Sequence, residues 1–147
     1  MTSKDIQRAL FRHYDKLNYP YMSANTKALW HEADFVAVSK SNFITECEIK
    51  ISRSDFFADF KKSEKHTMLN ARKLEDWHCP NYFYFVVPSG LVGAEEVPHY
   101  AGLLWICTRG KVHVMKRASI IHKDKATDAT VIKLLRSIMY KYFNICK

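Results

Sequence analysis

Residues 33–51 read ADFVAVSKSNFITECEIKI, two runs rich in β-branched and aromatic side chains on either side of the turn-forming Ser39-Lys40-Ser41-Asn42. Runs of this kind bounded by polar turn residues predict a hairpin, Ala33–Ser39 paired with Phe43–Ile51. Alternate side chains of a strand point to opposite faces. Glu46, Glu48 and Lys50 therefore share one face of the second strand, and Thr45, Cys47, Ile49 and Ile51 share the other. Asp34, on the first strand, can stand beside the charged face. Carboxylates and an ammonium set along a buried sheet cost desolvation energy unless they pair or hold a cation.

Working outward, Ile6, Ala9, Leu10, His13, Tyr14 and Leu17 recur at three- and four-residue steps behind Ser3, which predicts a capped amphipathic helix ending before Asn18 and Pro20. A loop or short strand fills Tyr19–Trp30. After the hairpin, Ser52 or Ser54 is placed to cap one helix over SDFFADFKKSEKHTMLNARKLEDW, ended by Cys79-Pro80. NYFYFVVP and AGLLWICT have the unbroken aromatic and β-branched composition of central strands, and VHVM is a short strand after Arg109-Gly110. Asp128–Asn144 closes the chain as a helix with an apolar stripe of Val131, Leu134, Leu135, Ile138, Met139 and Tyr142. The order predicts one α/β domain over residues 1–147, a mixed sheet flanked by helices.

The charged face has the chemistry of phosphodiester hydrolysis. Carboxylates such as Asp34 and Glu48 hold Mg²⁺ or Mn²⁺, the Ile49 backbone carbonyl adds a third oxygen, and Lys50 beside a cation would have a lowered pKa suited to positioning or deprotonating water. Glu32 and Glu46 have the parity to complete a second metal site. A surface row of ion pairs has the same local pattern, and Glu-x-Lys recurs by chance. The wider sequence is more specific. E32-A-D34-F-V-A-V, E46-C-E48-I-K50-I-S-R-S-D55-F-F-A-D59-F-K-K, N81-Y-F-Y-F-V-V-P88 and A101-G-L-L resemble the MmcB-like branch of the PD-(D/E)XK nuclease superfamily and its small phage-borne relatives, from about His31 to about Lys125.

The resemblance implies a restriction-endonuclease-like fold acting on DNA in repair, recombination or replication, with Asp34, Glu48 and Lys50 at the superfamily's acidic, acidic and lysine positions. Ala33 stands where the motif's name has proline. The extra acid that relatives bring from the first helix has two candidates here, Asp5 and Asp15. Two related alternatives are a Holliday-junction resolvase, which needs a symmetric homodimer, and a catalytically silent binding module of the same fold.

The chain's 147 residues carry a net charge of +8, which attracts polyanions, DNA first with RNA an open alternative. Lys61, Lys62, Lys65 and His66 on the helix after the hairpin are expected to contact DNA, as is Arg53 in the turn before it. Tyr82, Phe83, Tyr84 and Phe85 read as core. Cys47, Cys79, Cys107 and Cys146 show no metal or redox spacing, and the histidines form no metal-ligating pair. No glycine pattern suggests a nucleotide cofactor. The sequence has neither a signal-peptide pattern nor an apolar run that would span a membrane, so the expected location is the cytoplasm, a host's if the gene is phage-borne.

Overall fold

A computed structural model of the protein describes residues 1–29, 31–71 and 79–146. The fold is α/β, a six-stranded mixed sheet flanked by helices, with the strands side by side in chain order. Helix α1 (Ser3–Lys16) is capped by Thr2, whose hydroxyl accepts from Asp5 N–H while the Asp5 carboxylate accepts from Thr2 N–H. This reciprocal pair satisfies two orphan donors at the helix start. The cap lies one residue before the expected Ser3.

β1 (Tyr21–Thr26), β2 (Ala33–Val38) and β3 (Ile44–Ile49) form an antiparallel meander, and the predicted hairpin is β2–β3. β4 (Tyr82–Pro88) and β5 (Ala101–Ile106) continue the sheet in parallel with β3, and β6 (Val112–Lys116) closes it antiparallel to β5. A parallel step needs a crossover. Between β3 and β4 it contains α2 (Arg53–Asp59) and α3 (Ser63–Ala71), and between β4 and β5 a short 3₁₀ turn (Ala94–Glu96).

The single long helix expected after β3 is thus two. Ser52 caps α2 through Asp55 N–H, and α2 ends at Phe60, before a short turn leads into α3. The expected continuation through residues 72–77 lies outside the described residues, as does Trp30.

Two apolar layers sandwich the sheet. α1 buries Ile6, Ala9 and Leu10 against Phe35, Ala37, Cys47, Ile49, Val86 and Leu104. On the other face Phe56 of α2 and Leu69 of α3 pack on Phe83, Phe85 and Leu103. The aromatic run of β4 is core, as expected for Phe83 and Phe85, while Tyr82 and Tyr84 are half-buried. At Gly102 an added Cβ would fall 2.3 Å from the Tyr84 ring, so β5 needs glycine there to lie against that side chain.

α4 (Asp128–Cys146) departs from expectation. It packs along β1 and sinks Leu134 among Val36, Val38 and Ile44, but Leu135, Ile138, Met139 and Tyr142 of its apolar stripe are exposed.

Candidate active site

The β2–β3 register pairs Phe35 with Cys47 and Val36 with Glu46, and continuing it one residue sets Asp34 opposite Glu48. Both carboxylates stand on the sheet face that α2 and α3 cover. Asp34 is fixed by its own strand pair, since Oδ2 accepts from Ile49 N–H at 2.8 Å. Burial and the neighbouring Glu48 raise the Asp34 pKa, against the opposing pull of the Ile49 N–H, Lys50 and Lys65.

Around Glu48 the charges interlock. Lys50 Nζ donates to Glu48 Oε1 at 2.9 Å and lies 2.8 Å from Asp59 Oδ1. Lys65 Nζ donates to Glu48 Oε2 at 2.7 Å, sits 3.5 Å from Glu46 Oε1 and covers the Phe83 ring. Lys62 reaches in from the surface to Asp59 at 3.0 Å. Asp59 Oδ2 accepts from His66 Nε2 at 2.8 Å, and the other ring nitrogen of His66 meets the Tyr100 hydroxyl at 2.6 Å. Glu46, fully buried, bonds His31 Nε2 at 2.6 Å through Oε1, and its Oε2 has no hydrogen-bond partner among the described residues.

Burial alone would lower the Lys50 pKa, but its bonds to Asp59 and Glu48 outweigh that and raise it. Without a cation Lys50 is therefore a charged donor, and the lowering expected beside a metal belongs to the metal-bound site. Burial likewise opposes charge on Asp59, yet the His66 and Lys50 bonds with the nearby Lys65 hold its carboxyl well below the usual range. Lys65 is raised because Glu46 and Glu48 together exceed its desolvation.

The structure brings together Asp34, Glu46, Glu48, Lys50, Lys62 and Lys65, with His66 attached through Asp59. It separates others. Lys65 and His66 were expected to face DNA, but both are buried with their polar atoms engaged inside the cluster, because α3 turns that side onto the sheet. Lys62 is exposed but directed at Asp59 and Glu48, and Lys61 is exposed in the turn between α2 and α3. Arg53 donates to the Leu91 carbonyl at 2.9 Å and to Glu96, so it latches α2 to the 3₁₀ turn. Glu32 is exposed, away from the cluster's interior.

Neither Asp5 nor Asp15 enters. The α1 side chain nearest the acidic strand is Gln7, which donates to the Asp34 carbonyl at 3.1 Å. Sequence reasoning passed over Asp59 and Tyr100. Asp59 had a signal, because it follows Phe56 by three residues and so falls on the buried face of its helix. Tyr100 had none, being brought in by the β4–β5 crossover.

Asp34, Glu48 and the Ile49 carbonyl are the oxygens that could hold a divalent cation. Among the described residues no group of three or more His, Cys, Asp or Glu side chains forms a ready-made cage. The donor set still fits Mg²⁺ or Mn²⁺, which take one or two carboxylates and keep several waters. Each carboxylate oxygen has two lone pairs, so the lysines on Glu48 leave acceptor capacity. Asp34, Glu46, Glu48 and Asp59 also exceed Lys50, Lys62 and Lys65 by one charge, and burial together with the adjacent Glu48 raises the Asp34 pKa.

No family model and no curated protein matches the chain. Among solved structures it is similar to a protein of unknown function from Silicibacter pomeroyi, with a TM-score of 0.62 and 18% identity over 86% of this chain and 79% of that one. The likeness is one of fold. No helix among the described residues is long and apolar enough to cross a membrane.

Proposed function

We propose that the protein is a divalent-metal-dependent nuclease of the PD-(D/E)XK type on a restriction-endonuclease-like fold, hydrolysing DNA phosphodiesters in repair, recombination or replication. One observation carries the reading. Asp34 and Glu48 face each other across paired strands, with the Lys50 ammonium 2.9 Å from Glu48, on a sheet face whose neighbouring β4 and β5 side chains Phe83, Phe85 and Leu103 are apolar. A row of ion pairs that merely held the fold together would be a poor use of buried charge, since such pairs barely offset their desolvation.

Asp34, Glu48 and the Ile49 carbonyl would hold Mg²⁺ or Mn²⁺, which when bound lowers the pKa of water and neutralises phosphate charge. Lys50, kept protonated and aimed by Asp59, would orient the attacking water and donate to the phosphate oxygens as charge builds on them. Lys65 sets the second oxygen of Glu48, so the carboxylate is fixed before substrate arrives. The test offers purified protein single-stranded, double-stranded, flapped, bubbled and four-way DNA, and matching RNA, with Mg²⁺, Mn²⁺ or EDTA. Metal-dependent cleavage is expected and should vanish in Lys50→Ala; turnover undiminished in that variant removes Lys50 from the mechanism.

A second reading, the catalytically silent binding module, draws on one feature: both Glu48 oxygens already meet lysines. Nucleic-acid binding with no cleavage in any metal would select it. The resolvase-like dimer draws on the exposed apolar stripe of α4.

A further inference from the structure

Holding a strand takes cations that meet its phosphates on either side of the one being cut, and those around Glu48 are turned inward. Lys50 and Lys65 are buried against carboxylates, and Lys62 is directed at Asp59 and Glu48. The sequence supplies a second set. Lys133, Arg136 and Tyr140 recur at three- and four-residue steps and so form one stripe of α4, with Lys141 next to Tyr140 at its edge. With Lys27 and Glu32, from the chain between β1 and β2, that stripe lines a groove of about 460 Å³.

Four cations face one acid there, and the acid, Glu32, lies two residues before Asp34. Glu32 opens the segment that leads into β2, so the groove's lining adjoins the strand that carries Asp34. Its cations are partly pre-set. The Arg136 guanidinium donates to the Tyr140 hydroxyl at 3.3 Å and lies 5.8 Å from that ring's centre. Lys141 donates to the Ala24 carbonyl, which ties the helix to β1. Tyr140 is 56% exposed, a ring surface of the kind on which unpaired bases stack.

We propose that this groove is the track along which a single nucleic-acid strand reaches Asp34 and Glu48, its phosphates met by Lys27, Lys133 and Arg136. The proposal rests on the nuclease reading for its destination and on charge complementarity for its occupant. A groove with cations and an exposed aromatic takes one backbone and its unpaired bases, whereas a duplex offers no base face to stack.

The experiment measures binding of fluorescent oligothymidylate by anisotropy in EDTA across a salt series, so that cleavage plays no part. Lys133→Ala with Arg136→Ala should weaken binding roughly tenfold at low salt and flatten the log–log salt slope by about 1.4, since each single-strand phosphate contact contributes about 0.7. Arg136→Lys should keep the wild-type slope. Lys111→Ala with Lys123→Ala, the same charge change at exposed positions outside the groove, should keep it too. A slope unchanged in the α4 double variant overturns the track and leaves the nuclease reading intact. Failure of the wild-type protein to bind the oligomer, or its binding only vesicles of anionic lipid, also overturns the track, and the cleavage assay then judges the nuclease reading separately. If the double variant unfolds, Arg136→Gln alone carries the test, with a slope reduction of about 0.7 expected and no reduction refuting it.

Discussion

Asp59 is a carboxylate that water does not reach, and it is met by Lys50, Lys62 and His66. Removing one partner of such a group leaves uncompensated charge behind, so Asp59→Asn should destabilise the protein by about 3 kcal/mol at neutral pH. Its depressed pKa fixes the pH window. The stabilisation is complete above the unfolded-state carboxylate pKa of about 3.9 and is lost as pH falls below it toward the folded value. Urea titrations at pH 7 and in acid should show the wild-type advantage shrinking; a penalty equal at both pH values would mean that Asp59 acts by shape rather than charge. Asp34 has the opposite sign. Its raised pKa means that ionisation opposes folding, so Asp34→Asn in EDTA should hold or raise the melting temperature, whereas Glu48→Gln, which weakens the bonds from Lys50 and Lys65, should lower it. Mn²⁺ should raise the wild-type midpoint and leave both variants unmoved. An equal Mn²⁺ shift in all three proteins would place any metal elsewhere. These side chains were only half legible beforehand. The alternation in ITECEIKI put Glu46, Glu48 and Lys50 together because strand parity is local, but which lysines would answer them depended on how α3 lies against the sheet.

Among the elements, Asn81 bridges β3 and the segment that precedes α4. Asn81 is fully buried; its carbonyl oxygen accepts from Ile44 N–H at 2.7 Å, and its amide donates to the carbonyls of His122 and Asp124. Asn81→Ala would strand one donor and two acceptors, at a cost of roughly 3 kcal/mol or more. Hydrogen exchange at Ile44 and over residues 121–126 should then accelerate together; acceleration at Ile44 alone would show that the two segments are tied by other contacts. Ser52→Ala should cost about 1 kcal/mol through the lost cap of α2. The hairpin and both terminal helices were legible because their periods are strong, and the central strands because their aromatic and β-branched runs are unbroken. The break between α2 and α3 was not, since FKK contains neither proline nor glycine, and the short β1, YMSANT, lacks a clean apolar alternation. Periodicity did find the apolar stripe of α4, but it reports which side of a helix is apolar and never whether anything covers it.

For the whole molecule, that uncovered stripe and the net charge of +8 pull in different directions, since apolar surface favours association and like charge resists it. Sedimentation equilibrium should show a mass that rises with protein and salt concentration, and Leu135→Glu with Met139→Glu should hold the protein monomeric. A wild-type monomer at every concentration would remove the resolvase-like assembly. The layering of helices on both faces of the sheet also settles how the thiols behave. Cys47 lies between the two carboxylates of β3 in sequence but points the other way, into the α1 layer beside the Tyr14 hydroxyl, and burial pushes its pKa up to about 12. Cys107, with a lowered pKa, and the exposed Cys146 should be alkylated first. Once those are blocked, modification of Cys47 requires α1 to lift from the sheet. The appearance of label on that one peptide therefore works as a clock, timing how long the strand that carries Glu46 and Glu48 stays in place.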